Sequence, residues 1–143
     1  MSDLYDDIMM DHIKNARNYR NLSDPTGHAE GINPLCGDRF SLFVRLDRDI
    51  ISDLGFQCEC CGISMASASM MTELLKGKTK SEADLAIEEF KQFITGTTEQ
   101  FKYGGDLHAV FKTLAKFPSR VNCASLGWTT LGAALNGKTE VTV

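Results

Sequence analysis

The spacing of apolar residues changes period at Cys61, and that change most constrains what this 143-residue chain can fold into. Before it, Phe40, Leu42, Val44 and Leu46 alternate with Arg39, Ser41, Arg45 and Asp47, the two-residue period of a half-buried strand, with Phe43 as the exception. A tight turn follows. Ile50 to Cys60 alternates toward its end, with Leu54, Phe56, Cys58 and Cys60 on one face and Gln57 and Glu59 on the other. The two runs predict an antiparallel hairpin. Beyond Cys61, Ile63, Ala66, Met70, Leu74 and Leu75 recur at helical spacing as far as Gly77, a suitable left-handed C-cap.

The flanking segments complete the element order. Ser2 or Asp3 can cap a helix to about Ala16, in which Leu4, Tyr5, Ile8, Met9, His12 and Ile13 share a face. Pro25, Gly27, Gly31 and Pro34 leave room for at most a short strand near His28 to Ile32. Ser81 to Thr95 reads as a helix, Gly104-Gly105 as a break, and Leu107 to Lys116 as a short helix. Pro118 interrupts, and Val121 to Asn136 forms a last helix that Gly137 can close, with a frayed tail from Lys138 to Val143. This order predicts one α+β domain over residues 1–143, a small antiparallel β-sheet with helices packed on one face.

A net charge of -4 offers no basic surface for phosphate backbones, so nucleic acid is not an expected partner. No apolar run approaches the roughly 20 residues that span a bilayer, and the acidic N-terminus lacks the form of a secretion signal. The expectation is a cytoplasmic protein without a membrane partner. In a reducing compartment five cysteines suit metal ligation, thiol chemistry or plain burial better than a disulfide framework.

Three of the five fall at element ends. Cys36 lies in the loop entering the first hairpin strand, Cys61 between strand and helix, and Cys123 in the first turn of the last helix. Amides at a helix N-terminus carry partial positive charge, so Cys61 and Cys123 are expected to favour the thiolate. Asp38 follows Cys36 by two residues and, in an extended segment, points the same way. Three thiolates and a carboxylate suit zinc, and the cysteines alone could hold an iron–sulfur cluster. Spacing by itself does not establish a shared site.

The flanking residues say more. Asn33-Pro-Leu-Cys-Gly-Asp38, Cys61-Gly-Ile-Ser-Met-Ala-Ser-Ala-Ser-Met-Met-Thr72 and Phe117-Pro-Ser-Arg-Val-Asn-Cys-Ala-Ser-Leu-Gly-Trp128 resemble, in order, the three signature segments of the SufU/IscU (NifU N-terminal-like) family of iron–sulfur cluster assembly proteins. The resemblance covers nearly the whole chain and implies a SufE/NifU-like fold. Gly104 to Pro118 looks like the insertion of the SufU branch, and Asn122 stands where the IscU branch has histidine. It implies that Cys36, Asp38, Cys61 and Cys123 bind zinc and that a transient iron–sulfur cluster is held by Cys36, Cys61 and Cys123. It also implies that Cys36 accepts persulfide sulfur from a PLP-dependent cysteine desulfurase, whose histidine displaces Cys36 from zinc, for delivery to downstream cluster carrier or assembly proteins. Arg120 matches a family arginine that holds Asp38 or the developing anion. Cys58 and Cys60 depart from the family, which usually has glycines there.

Several residues carry two readings. Cys58 and Cys60 could be extra ligands or a sulfur relay, but strand alternation puts them with Leu54 and Phe56, where cysteine acts as a small hydrophobe. His12, His28 and His108 lie away from the signature cysteines, and Met65, Met70 and Met71 read as core filler. Trp128 reads as a packing anchor, and Lys112, Lys116 and Arg120 as a solvated face or a basic stripe for an acidic partner. Besides the sulfur-acceptor reading there remain an IscU-like scaffold, a structural-zinc binding module and a cysteine hydrolase, the last without a visible histidine base.

Overall fold

The alternating runs become the central hairpin of the computed structural model, which describes residues 3–96, 106–111 and 117–142. Strands β2 (Asp38–Asp47) and β3 (Ile50–Glu59) pair antiparallel, following β1 (Gly27–Asn33) in the chain. Phe40 lies opposite Cys58, Leu42 opposite Phe56 and Val44 opposite Leu54. Arg48 and Asp49, with φ of 52° and 68°, supply the left-handed pair that a two-residue hairpin turn requires. Phe43, the residue that broke the pattern, faces away from the core and stacks on His28 with ring centroids 4.4 Å apart.

β1 pairs antiparallel with β2. Its outer edge is not left open: β4 (Glu140–Thr142) pairs parallel with it, and the Glu30 N–H donates to the Thr139 carbonyl at 2.9 Å. Two expectations are thereby corrected, since the tail is a strand and the sheet, in the order β3-β2-β1-β4, is mixed rather than antiparallel. Three residues show no period of their own, and their pairing depends on an edge that exists only in the folded domain.

Among the described residues, the helices that touch the sheet lie on one face. Helix α5 (Pro118–Leu135) crosses β1 and β2, flanked by α2 (Gly62–Leu75) and α3 (Lys80–Ile94), while α1 (Asp3–Lys14) packs on α2. Contact between α5 and β1 is close because Gly31 has no side chain: a Cβ there would lie 1.9 Å from Thr130 Oγ1. Trp128 of α5 is fully buried, stacks on Phe90 of α3 with centroids 4.1 Å apart, and donates its indole N–H to Ser67 of α2. The packing-anchor reading therefore stands. Met70 and Met71 are buried as core filler.

Local signals set the helix ends. Thr79 and Glu82 form a reciprocal capping box at the start of α3, and Gly77 and Gly137, with φ of 91° and 77°, follow the ends of α2 and α5. Pro118 opens α5 instead of interrupting before it, because the first helical position needs no N–H. The short helix α4 covers Asp106–Phe111. The Gly104-Gly105 break, the extension to Lys116, Lys112 and most of the expected insertion lie outside the described residues. Among the described residues no helix is long and apolar enough to cross a membrane.

Candidate metal centre

Cys36, Asp38 and Cys123 meet at one end of the sheet, with one ligand atom from each within 4.8 Å of the others. Asn33, at the end of β1, builds the turn that starts this. Its side-chain oxygen accepts from the Leu35 N–H at 3.1 Å, and its carbonyl accepts from the Gly37 N–H at 2.8 Å. Gly37 takes a φ of 78°, so the chain reverses between Cys36 and Asp38 instead of running extended. The expected side-by-side pair forms, but through a turn. Cys36 is exposed at the tip, while Asp38, the first residue of β2, is buried.

Cys61 is the N-cap of α2, as expected, and is half-buried. Its sulfur lies beside that of Cys123, which its charge and hydrogen bond perturb. Cys123 corrects the expectation made for it. With α5 starting at Pro118, Cys123 falls in the second turn, away from the exposed amides of the first. It is buried, and burial is the main reason its thiol is pushed up to about 12, with the neighbouring Cys61, Cys36 and Asp38 adding to the rise.

Ser64, which sequence reasoning did not single out, ties these groups together. It lies in the first turn of α2 and is 1% exposed. Its hydroxyl is 2.7 Å from Asp38 Oδ2, 2.8 Å from the Cys123 carbonyl and 3.4 Å from Cys61 Sγ. One hydroxyl proton serves two acceptors, the Asp38 carboxylate and the carbonyl, so the bond is shared between them. Position three after a capping cysteine was the available signal, but serine is common there for other reasons.

Arg120 does not hold Asp38. It is exposed in the first turn of α5, and among the described residues its side chain makes no ion pair; the carboxylate bond comes from Ser64. His12 is buried against Ser69 of α2, with Nδ1 2.7 Å from Oγ, and exposed His28 sits beside Glu30, so neither joins the centre. The side chain of His108 lies outside the described residues.

Cys58 and Cys60 overturn the expectation of unpaired, buried thiols: they are half-buried and joined as a disulfide. β3 ends at Glu59, and the backbone turns there enough to bring their Cα atoms to 5.5 Å. That separation suits a disulfide, whereas a continuing strand would hold them at about 6.6 Å. Alternation had correctly put both on one face.

The donor set fits zinc. Cys36, Asp38 and Cys123 bring two sulfurs and a carboxylate oxygen within 4.8 Å of one another, and Cys61, which stands outside that group beside Ser64 and Cys123, supplies the third sulfur once it closes in to complete a tetrahedral set.

Residues 4–138 match the family described as NifU-like N terminal domain. The zinc-dependent sulfurtransferase SufU of Bacillus subtilis (strain 168) is 42% identical over 129 residues, covering 90% of this chain and 86% of its own length. The iron–sulfur cluster assembly scaffold protein IscU of Streptococcus pyogenes serotype M1 is 34% identical over 135 residues, covering 94% and 84%. A crystal structure described as an iron–sulfur cluster assembly scaffold for the SUF system, from Fervidobacterium islandicum AW-1, superposes with a TM-score of 0.85 at 31% identity, covering 94% of this chain and 99% of that one.

Proposed function

This chain belongs to the NifU-like N-terminal domain family, and from that premise we propose that it is a SufU-type iron–sulfur cluster assembly protein that accepts sulfur at Cys36. The observation that carries the reading is the graded exposure of one cluster of ligands, Cys36 exposed and Cys123 and Asp38 buried, with the half-buried Cys61 beside Cys123. A partner's active-site loop can reach Cys36, while the other three stay in the protein as anchors. The donor of the sulfur is a PLP-dependent cysteine desulfurase carrying a persulfide.

In the transfer, the Cys36 sulfur attacks the outer sulfur of that persulfide. A new S–S bond forms at Cys36, and the bond to the desulfurase cysteine breaks, returning that residue as a thiol. Cys36, Asp38, Cys61 and Cys123 would hold zinc, which when bound keeps its ligand thiols ionised near neutral pH. Ser64 orients Asp38, and Asn33 holds the turn that presents Cys36. Arg120 lies one helical turn before Cys123, where an exposed guanidinium attracts the anionic persulfide. The setting is the cytoplasm, and sulfur passes on to cluster carrier or assembly proteins.

Desulfurase turnover with and without this protein tests the reading, with metal-quantified wild type and Cys36→Ala side by side. Wild type is expected to stimulate turnover strongly and the variant not at all. Equal turnover in all three assays would refute acceptance at Cys36. Cluster reconstitution and transfer to an apo-acceptor would then favour the scaffold reading, in which the three cysteines hold the cluster as cargo.

A further inference from the structure

The Cys58–Cys60 disulfide has no part in sulfur acceptance as described, yet it lies next to the centre. The β2–β3 ladder ends with Arg39 paired to Glu59, so Cys60 lies just past its end, where β2 begins at Asp38. Cys58 stands opposite Phe40, and both cysteines occupy the sheet face that carries the helices. The next residue, Cys61, belongs to the centre itself. Tyr19 fixes this end of β3, since its hydroxyl donates to the Cys58 carbonyl at 3.0 Å and accepts from the Cys58 N–H at 3.3 Å.

As a staple the bond does little. It closes a loop of three residues, and the stabilisation from a cross-link falls as its loop shortens. The segment is already held by the β2 ladder and by Tyr19. Cys58 and Cys60 are both half-buried at the end of β3, so a reductant can approach the bond from solvent. Accessible short-loop disulfides of this kind are the exchangeable ones.

Resting on the sulfur-acceptor reading, we propose that Cys58 and Cys60 are a redox pair that converts the sulfane sulfur accepted at Cys36 into sulfide. The Cys60 thiol attacks the outer sulfur of the Cys36 persulfide; a Cys60–sulfur bond forms, and Cys36 leaves as a thiol. Cys58 then attacks the inner sulfur of the Cys60 persulfide, forming the disulfide seen in the structure and expelling the outer sulfur. The pair loses two electrons and the sulfane sulfur gains them. With the hydrogens of the persulfide and the two thiols, the products are the Cys36 thiol, hydrogen sulfide and the disulfide. A cellular dithiol reductant restores the pair by exchange. Sulfide is the oxidation state that a cluster incorporates, so acceptance and reduction would take place on one chain.

A single-turnover experiment tests this. Reduced, desalted protein is loaded by a desulfurase and cysteine without added reductant, and sulfide release is measured beside the masses of the Cys36 and Cys58–Cys60 peptides. Wild type is expected to release about one sulfide per disulfide formed. Wild type with the disulfide already closed, the same polypeptide and fold, is expected to keep its sulfur on Cys36 and release none. Cys58→Ser is expected to trap the extra sulfur on Cys60. Equal sulfide release from the reduced and pre-oxidised proteins would overturn the proposal, as would release from reduced protein whose pair stays as thiols. If the Cys36 peptide gains no sulfur in any sample, the acceptor reading itself fails and takes this one with it.

Discussion

Replacing Ser64 by alanine separates the work of the centre from the work of the core. The hydroxyl is buried and lies 2.7 Å from Asp38 Oδ2 and 2.8 Å from the Cys123 carbonyl. A hydrogen bond to a charged, buried acceptor is worth about 1.5–3 kcal/mol, so Ser64→Ala should lower the stability of the metal-free protein by roughly 2 kcal/mol. Zinc affinity should fall as well, because a ligand carboxylate released from its supporting bond usually costs ~10–100-fold in binding. Ser67→Ala is the control. Ser67 is three residues further along α2, is equally buried, donates to the Ala124 carbonyl at 2.6 Å and accepts from the Trp128 indole at 3.0 Å. It touches none of the four proposed ligands, so its loss should destabilise by a similar ~1–3 kcal/mol and leave zinc affinity near wild type. Urea unfolding of metal-free protein gives the first quantity, and competition with a chromophoric chelator gives the second. If both variants bind zinc alike, Ser64 does not orient Asp38 and the reasoning is wrong.

Three further outcomes follow from other parts of the molecule. Burial opposes the charge of Asp53, but hydrogen bonds from Lys76 and Arg20 outweigh it and hold its carboxyl below the usual range. A depressed carboxylate stabilises the fold above its unfolded value of about 3.9 and loses that contribution as pH falls through the folded value; Asp53→Asn should therefore cost about 1 kcal/mol at neutral pH, with urea midpoints of variant and wild type converging as pH drops toward ~3. Gly31→Ala should cost ~1–3 kcal/mol by forcing β1 away from Thr130, and adding Thr130→Ala should recover part of it in thermal unfolding. Leu35 is 90% exposed beside Cys36, so Leu35→Glu should leave stability within ~0.5 kcal/mol of wild type while weakening desulfurase stimulation, measured as a raised half-saturating concentration. Undiminished stimulation would exclude Leu35 from the docking surface.

The sequence alone determined the features that depend on neighbours along the chain. The hairpin followed from the alternation in Phe40 to Leu46 and Leu54 to Cys60, and the helix ends from Gly77 and Gly137, because side-chain period and left-handed backbone are local properties. The signature segments likewise brought Cys36, Asp38, Cys61 and Cys123 to notice as one set. Tertiary structure decided what depends on elements distant in the chain. β4 is a strand because β1 offers it an edge, and Cys123 is buried because α5 begins at Pro118 and lies against the sheet. Ser64 became a partner of Asp38 only when α2 packed over the start of β2. Cys58 and Cys60 could be placed on one face by period, but whether their sulfurs meet depended on the backbone turning after Glu59, which no two-residue period encodes.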